Sequence, residues 1–141
     1  MRRLFVAIDI SEGARNAAAS HVEKVKSESV RAKVSLEKPE KFHVTINFIG
    51  NTPGEEVVGI GNALASIAMA TPRFELMLAD TGVFPSRRAA RILWLGVVGQ
   101  IESLESIADN LQTVLKARGF PQEERAFKPH ITIARIRDPR S

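Results

Sequence analysis

The order of predicted secondary-structure elements repeats once along this 141-residue chain, and each half ends in the same motif. In the first half, a strand beginning near Leu4 and a helix precede the tetrapeptide HVTI at 43–46, whose histidine lies 39 residues after Leu4. In the second half, a strand beginning near Ile92 and a helix precede HITI at 130–133, whose histidine lies 38 residues after Ile92. Internal self-similarity indicates repeated supersecondary units. The repeat therefore predicts one domain, 1–141, built as an internal duplication of two pseudo-symmetric lobes.

Local patterns predict six strands and three helices with no linker or low-complexity segment between them. Ser11 is an N-cap residue for the first helix, and TPGE at 52–55 matches a capping box with proline at the first helical position. Gly119 is placed to end the third helix. This order predicts an α+β fold, with antiparallel sheets facing a central cleft and helices packed on the outer faces. The predicted strands are 4–8, 32–36, 42–49, 74–79, 91–98 and 131–136, and the predicted helices are 12–28, 53–70 and 101–118.

Composition limits the chemistry available to the chain. Hydrophobic residues make up 44% and charged residues 26%, which is typical of a globular domain and not of a disordered one. The absence of cysteine excludes disulfides, thiolate nucleophiles and cysteine-based metal sites. Three dispersed histidines form no ligand cluster, so we expect neither a metal nor a cofactor. No apolar run is long enough to span a membrane and no secretory signal is recognisable, so we expect a cytoplasmic protein without membrane association.

The net charge of +4 is unevenly distributed. Residues 116–137 carry six Lys and Arg side chains against two Glu, and a second basic cluster lies at Arg87, Arg88 and Arg91. A local basic surface favours a phosphate-bearing partner, and these arginines, with Arg125, are candidates to contact it. Each of them taken alone is more often a solvated surface charge.

On a strand, the polar and apolar residues of each tetrapeptide lie on opposite faces. Side chains alternate along a strand, so His43 and Thr45 share one face, and His130 and Thr132 share the equivalent face. The apolar residues between them belong against the helices, which leaves the polar faces to line solvent or a cleft. The predicted apolar faces comprise Val44, Ile46 and Phe48 in the first strand, and Ile131 and Ile133 in the second.

Two imidazoles flanking a phosphate are suited to in-line displacement without a metal. One can accept a proton from the attacking oxygen while the other gives a proton to the leaving oxygen, because histidine holds either protonation state near neutral pH. Threonine hydroxyls can donate to the non-bridging phosphate oxygens. A single His-x-Thr motif most often marks an ordinary half-exposed strand. Two copies at equivalent places, using two of only three histidines, indicate a catalytic pair.

The paired motifs resemble the signature of the 2H phosphoesterase superfamily, and the chain is most similar to the RNA 2′,3′-cyclic phosphodiesterases, historically called 2′-5′ RNA ligases. The resemblance extends almost from end to end. It is carried by the segments RLFVAID at 3–9, HVTINFIG at 43–50, GVFPS at 82–86, RILW at 91–94 and KPHITIAR at 128–135.

The resemblance implies hydrolysis of a terminal 2′,3′-cyclic phosphate on RNA to a 2′-phosphomonoester. It also implies that His43 is the proton donor, that His130 is the proton acceptor, and that Thr45 and Thr132 hold phosphate oxygens. The residues themselves do not distinguish the two histidines, because the repeat makes them nearly equivalent.

Two basic residues flank the second motif. Lys128, two residues before His130, is a candidate RNA-binding residue. Arg135 is a candidate phosphate ligand, although strict alternation places it on the face opposite His130 unless the strand bulges or ends there. Three further residues are predicted to be structural, namely His21 at a helix border and Phe42 and Trp94 in the core.

The motifs are compatible with other functions. The same machinery could act on a small cyclic nucleotide or an ADP-ribose cyclic phosphate, or join RNA through a 2′-5′ linkage. A non-catalytic module that binds RNA ends is an alternative of a different class, although 6% aromatic residues and no tyrosine disfavour a stacking platform. We expect a monomer whose partner is RNA with a 2′,3′-cyclic phosphate end, tRNA fragments being one candidate source.

Overall fold

A computed structural model describes residues 1–28, 34–84, 92–122 and 127–136. Within these ranges the fold is α+β, as predicted, with six strands, three helices and a short 3₁₀ turn. Arg87, Arg88, Arg91 and Arg125 lie outside the described residues, as do the predicted loop at 85–88 and the start of the predicted strand 32–36. In chain order the elements are β1 (Arg2–Asp9), α1 (Glu12–Glu28), β2 (Val34–Leu36), the 3₁₀ turn (Pro39–Lys41), β3 (His43–Thr52), α2 (Gly54–Ala70), β4 (Leu76–Phe84), β5 (Ile92–Gly99), α3 (Ile101–Ala117) and β6 (His130–Ile136).

The strands form two antiparallel sheets of unequal size. β1 and β3 form a two-stranded sheet, and the other four strands are ordered β2-β6-β5-β4. β2 pairs with β6, with Ser35 opposite Arg135 and Leu36 opposite Ala134. A strand from the first half of the repeat thus joins strands from the second half. The two sheets therefore do not correspond to the two halves of the sequence.

Both helix boundaries predicted from single residues, Ser11 and Gly119, are confirmed. The main-chain N–H of Ala14 donates to Ser11 Oγ over 3.1 Å, which caps the start of α1. At the end of α3, Gly119 has φ +85° and its N–H donates to Lys116 O, while the N–H of Phe120 donates to Leu115 O. This is the Schellman arrangement. In the described parts of the chain, none of the helices has the length and apolar character needed to cross a membrane.

The predicted capping box at the start of α2 is wrong. The helix begins at Gly54 with Pro53 at its N-cap, and no side chain caps it. Thr52 is instead the last residue of β3, where it is completely buried. Its hydroxyl donates to the carbonyl of Gly50 over 2.9 Å. The strand extends beyond its predicted end at residue 49 to Thr52. The residue that was expected to cap the helix therefore lies in the strand.

Contacts divide the chain into two compact units. The first unit comprises 1–7, 45–76 and 99–129, and in it α2 packs against α3. Arg118 links these helices through an ion pair with Glu56, 2.7 Å between Nη1 and Oε2. The apolar core of the helix pair comprises Ile60 of α2 and Leu104, Ile107, Ala108, Leu111 and Leu115 of α3.

The second unit comprises 8–44, 77–98 and 130–141. It contains α1 and the four-stranded sheet, and α1 packs against the 3₁₀ turn. A 2.7 Å hydrogen bond between His21 of α1 and Thr81 of β4 joins the helix to the sheet. The third histidine therefore has a structural contact, in keeping with its predicted role. Buried apolar residues of this unit are Ala18, Val22, Phe42, Val44, Leu95, Val97, Ile131, Ile133 and Ala134.

Candidate active site

His43 is the first residue of β3 and directly follows a tightly turned segment. The N–H groups of Lys41 and Phe42 donate to Lys38 O and Pro39 O, which closes the 3₁₀ turn. Phe42 is 1% exposed, so the predicted core position is confirmed. His43 itself is half-buried. The turn and the buried phenylalanine anchor the main chain immediately before the imidazole.

The guanidinium of Arg15, in the first turns of α1, also reaches this segment. Its Nη1 donates to Pro39 O over 2.6 Å and to Phe42 O over 3.3 Å. Its Nη2 pairs with Asp9 Oδ1 at 2.5 Å and donates to Ile10 O over 3.4 Å. The arginine side chain is only 14% exposed. One side chain thus ties the end of β1 to the peptide that precedes His43.

Asp9 belongs to the same polar cluster. The main-chain N–H of Ile10 donates to its carboxylate over 2.9 Å and, with the hydrogen bond from Arg15, lowers the pKa of Asp9 below its ordinary value. Positive charge on His43 lowers the pKa of Asp9 further, as the smallest of these causes. The carboxylate therefore remains charged near neutral pH, within electrostatic reach of the first motif histidine.

The residues after His43 follow the predicted alternation only as far as Ile46. Val44 and Ile46 are buried, at 1% and 9% exposure, while Thr45 is half-buried. The pattern then changes, because Asn47 is 7% exposed and Phe48 is 69% exposed. The prediction that Phe48 packs in the apolar face is therefore wrong. Its ring instead lies 5.9 Å from that of Phe5, itself 49% exposed, on the two-stranded sheet.

His130 begins β6 and lies among aromatic rings. The ring of Phe84, at the end of β4, meets it edge-on with a centroid separation of 5.3 Å and an interplanar angle of 80°. Trp94 of β5 lies 6.4 Å away at 62° and contacts Phe84 at 5.3 Å. Edge-to-face geometry is a favourable arrangement for aromatic rings. The three strands β4, β5 and β6 thus bring together an aromatic wall, Phe84 and Trp94, beside the second motif histidine.

The indole of Trp94 depends on a glycine in the neighbouring strand. A Cβ on Gly82 would collide with the six-membered ring of Trp94, so only glycine leaves room for the indole at this position. The tryptophan is half-buried, so the predicted role in the core is only partly correct. The indole N–H is buried and has no hydrogen-bond partner among the described residues. Trp94 is therefore both a packing residue and a neighbour of His130.

An irregularity in β6 changes the expected orientation of Arg135. Leu93 pairs with Ala134 but Trp94 pairs with Thr132, so Ile133 is an extra residue in β6. Ile133 and Ala134 are both completely buried, as expected when a bulge turns adjacent residues toward one side. Alternation then resumes with Arg135 on the side of His130 and Thr132. Strict alternation, which would place Arg135 opposite His130, therefore does not apply at this position.

The flanking basic residues are accessible. The side chain of Arg135 is 62% exposed and its Nε lies 3.5 Å from Glu37 Oε1, a surface ion pair. Lys128 is exposed and belongs to the first unit. Among the residues that the structure describes, no group of three or more His, Asp or Glu side chains is arranged to hold a metal ion.

The motif residues fall into both units. His43, His130, Thr132 and Arg135 belong to the second unit, and Thr45 belongs to the first. Arg15 and Asp9 were not predicted as site residues, and nothing in the local sequence marks Arg15, although Asp9 ends the segment RLFVAID that carries the family resemblance. Phe84 and Trp94 lie in segments that carry the family resemblance, and that was the available signal for them.

Comparison with known proteins identifies the family. The model of the LigT-like phosphoesterase family matches residues 8–94 and 95–141. The RNA 2′,3′-cyclic phosphodiesterase of Aeropyrum pernix is 38% identical over 102 residues, which are 72% of this chain and 57% of that protein. The protein of the same name from Methanothermobacter thermautotrophicus is 31% identical over 141 residues, covering 99% of this chain and 73% of its own length.

A solved structure agrees with these matches. The crystal structure of the Thermus thermophilus protein TT0787 has a TM-score of 0.78 and 27% identity, and covers 98% of this chain and 76% of that one. This chain therefore spans 57–76% of the length of the three proteins. The family resemblance predicted from the two motifs is confirmed, and the chain belongs to the LigT-like phosphoesterase family of the two-histidine phosphoesterases.

Proposed function

We propose that this chain hydrolyses the 2′,3′-cyclic phosphate at the end of an RNA to a 2′-phosphomonoester, by acid–base catalysis that needs no metal ion. The observation that carries the proposal is the repeated site. Each half-buried histidine, His43 and His130, begins a strand and is followed two residues later by a half-buried threonine. Family membership supports phosphoester chemistry, and the names of two relatives support RNA with a cyclic phosphate end as the substrate.

In the proposed reaction, a water oxygen attacks phosphorus as the bond to the ribose 3′-oxygen breaks. His130 takes the proton from water, and His43 gives a proton to the departing 3′-oxygen. The products are a 2′-phosphomonoester and a free 3′-hydroxyl. The two histidines exchange their protonation states during the reaction, so a proton must return through solvent before the next turnover.

The assignment of the two roles follows the family resemblance, because the repeat in sequence leaves the histidines equivalent. The Asp9 carboxylate lies within electrostatic reach of His43. The rings of Phe84 and Trp94 lie beside His130.

Threonine and basic side chains would bind the phosphates in this mechanism. The hydroxyls of Thr45 and Thr132 donate to the non-bridging oxygens, where negative charge increases in the transition state. Arg135, on the side of His130 after the bulge in β6, and Lys128 bind the cyclic phosphate or the RNA backbone next to it. Exposure of both basic side chains supports contact with a substrate that arrives from solvent.

The test is to incubate the purified protein with a short RNA ending in a 2′,3′-cyclic phosphate, in excess EDTA, and to identify the product by phosphorus NMR. The expected product is a 2′-phosphomonoester. The control is the His130→Ala variant under the same conditions, which should leave the cyclic phosphate intact. Activity that EDTA abolishes would contradict the metal-free mechanism.

Other products would distinguish the alternatives. A 3′-phosphomonoester would mean that the 2′-oxygen departs, which contradicts the proposed substrate orientation. No product from RNA, with turnover of small cyclic nucleotides, would contradict RNA as the substrate. RNA binding that persists in a variant lacking both histidines, with no turnover by the unaltered protein, would support a non-catalytic module instead.

A further inference from the structure

The Arg15 guanidinium joins several polar groups near His43. It donates to the carbonyls of Ile10, Pro39 and Phe42 and pairs with the carboxylate of Asp9. These partners come from the end of β1, from the 3₁₀ turn and from the residue just before β3. The Arg15 side chain is only 14% exposed, so its hydrogen bonds to the carbonyls are partly shielded from water, while its partner Asp9 is 82% exposed.

The contact with Phe42 bears directly on the imidazole. The carbonyl of Phe42 and the N–H of His43 belong to one planar peptide unit, so a hydrogen bond to this carbonyl restrains the orientation of the Cα of His43. Arg15 itself is well anchored, because Ser11 caps its helix and the N–H of Arg15 donates to Ser11 O over 2.9 Å. The restraint therefore extends from a fixed helix end to the first residue of the catalytic strand.

We propose that Arg15 is a positioning residue for His43, and that Asp9 holds the Arg15 guanidinium in the orientation this role requires. The inference rests on the proposed function for its effect on turnover, but the structural part of it concerns the imidazole alone. Arg15 does not touch the reacting atoms in this proposal. It acts through the Phe42–His43 peptide, which it keeps in the geometry from which the imidazole reaches the leaving oxygen.

The planar fork of an arginine is suited to this task in a way that lysine is not. Arg15 donates from both terminal nitrogens, Nη1 to the Pro39 and Phe42 carbonyls and Nη2 to Asp9 and the Ile10 carbonyl. A lysine ammonium carries the same charge but cannot span these acceptors in a fixed plane. Replacement by lysine should therefore restore charge without restoring the full geometry.

The test compares Arg15→Met and Arg15→Lys with a matched control, Arg118→Met. The control removes an arginine that also forms a close ion pair, with Glu56, but links two helices of the first unit. At a temperature where all variants are folded, Arg15→Met should lower kcat by roughly 10- to 100-fold with little change in KM, since displacing a reacting group by an ångström can reduce the rate that much. Arg15→Lys should recover part of the loss, and Arg118→Met should retain the kcat of the unaltered protein.

A second readout does not depend on activity. The chain has three histidines, so imidazole signals in a proton–carbon NMR spectrum can be assigned with single His→Gln variants. Arg15→Met should shift the His43 signal well beyond the changes at His21, and Arg118→Met should leave the His43 signal in place. If the protein did not hydrolyse RNA, the proposed function would fail while this spectrum still tested the positioning role.

Two results would overturn the inference. One is an unshifted His43 signal in folded Arg15→Met. The other is a kcat for Arg15→Met no lower than that for Arg118→Met. If Arg15→Met does not fold, Arg15→Lys and Asp9→Asn provide the same comparison, because each keeps part of the contact, and an unmoved His43 signal in both would count against the proposal.

Discussion

His43 and His130 occupy equivalent places in the sequence but lie in chemically different surroundings. The main chain before His43 is held by a nearly buried guanidinium, and a charged carboxylate lies within electrostatic reach of its ring. His130 lies against the rings of Phe84 and Trp94, with centroid separations of 5.3 and 6.4 Å. Among the described contacts, a carboxylate lies near one histidine and two aromatic rings lie beside the other.

In the proposed mechanism, a repeated motif supplies two catalytic groups with different roles. An acid and a base taken from the same residue type need environments that treat the two protonation states differently. A carboxylate lies within electrostatic reach of His43, and aromatic rings pack beside His130. The repeated tetrapeptide places a histidine at the start of each strand, and the surrounding residues, which do not repeat, distinguish the two.

The largest effect is expected from removing either imidazole. His43→Ala and His130→Ala should each lower kcat/KM by roughly 10²- to 10⁴-fold, the usual contribution of a positioned acid or base. Acid–base catalysis by two histidines predicts a bell-shaped dependence of kcat/KM on pH. This profile should lose its alkaline limb in His43→Ala, because a proton donor fails when it deprotonates. It should lose its acidic limb in His130→Ala, because an acceptor fails when it is protonated.

The matched control for these variants is His21→Ala, which removes the one histidine outside the motifs and should leave the profile unchanged. Steady-state kinetics across the pH range provide the measurement. Loss of the opposite limb in each variant would mean that His43 is the proton acceptor and His130 the donor. Full activity in either variant would exclude that histidine from the reaction.

Disturbing the aromatic wall should give the next largest effect. Gly82→Ala places a Cβ against the Trp94 indole and should destabilise the protein by about 1–3 kcal/mol, as overpacking does. It should also lower kcat through displacement of the rings beside His130. Gly61→Ala is the control, since a Cβ there meets nothing within 4 Å and alanine favours a helix by up to about 1 kcal/mol.

Urea denaturation and kcat, measured side by side, separate the two consequences of Gly82→Ala. A variant as stable and active as Gly61→Ala would show that the indole can move away freely, and the aromatic wall would then have no positioning role.

A smaller effect should be visible in fluorescence. The chain has a single tryptophan, and it lies beside His130. Because the two ring centroids are 6.4 Å apart, replacing the imidazole should change the surroundings of the indole. The emission maximum should therefore shift in His130→Gln and stay in place in His43→Gln. An unshifted maximum in His130→Gln would mean that this histidine does not contribute to the surroundings of Trp94.

The smallest effect is expected from Asp9, whose side chain is 82% exposed. Its pKa is lowered in the folded protein, so the carboxylate stabilises the fold at a pH above its unfolded value, about 3.9. That contribution is lost as the pH falls through the lower folded value. The Tm of Asp9→Asn should therefore lie slightly below that of the unaltered protein at neutral pH, and the two should converge in acid.

The control for this titration is Glu12→Gln, which removes a carboxylate 3.5 Å from Arg15 Nε that is 85% exposed. We expect a smaller difference in Tm for this variant. A constant gap between Asp9→Asn and the unaltered protein down to the most acid pH would contradict the role of the Asp9 charge.

Much of the secondary structure was predictable because its signals are local. The cap at Ser11 and the end of α3 at Gly119 depend on backbone groups within a few residues, and both predictions are confirmed. The burial of Val44 and Ile131 follows from simple alternation along each strand. The prediction for Phe48 failed, since a strand in a small two-stranded sheet need not bury the same face along its whole length.

By itself, the sequence determined the α+β class, the two His-x-Thr strands and the family, because periodicity, helix ends and a repeated motif are properties of neighbouring residues. Only the tertiary structure decided that β2 pairs with β6, that a bulge turns Arg135 toward the side of His130, and that Arg15 reaches the peptide before His43. Those features join residues far apart in the chain. They depend on strand register and helix placement, which no local pattern encodes, and they distinguish two histidines that the motif makes alike.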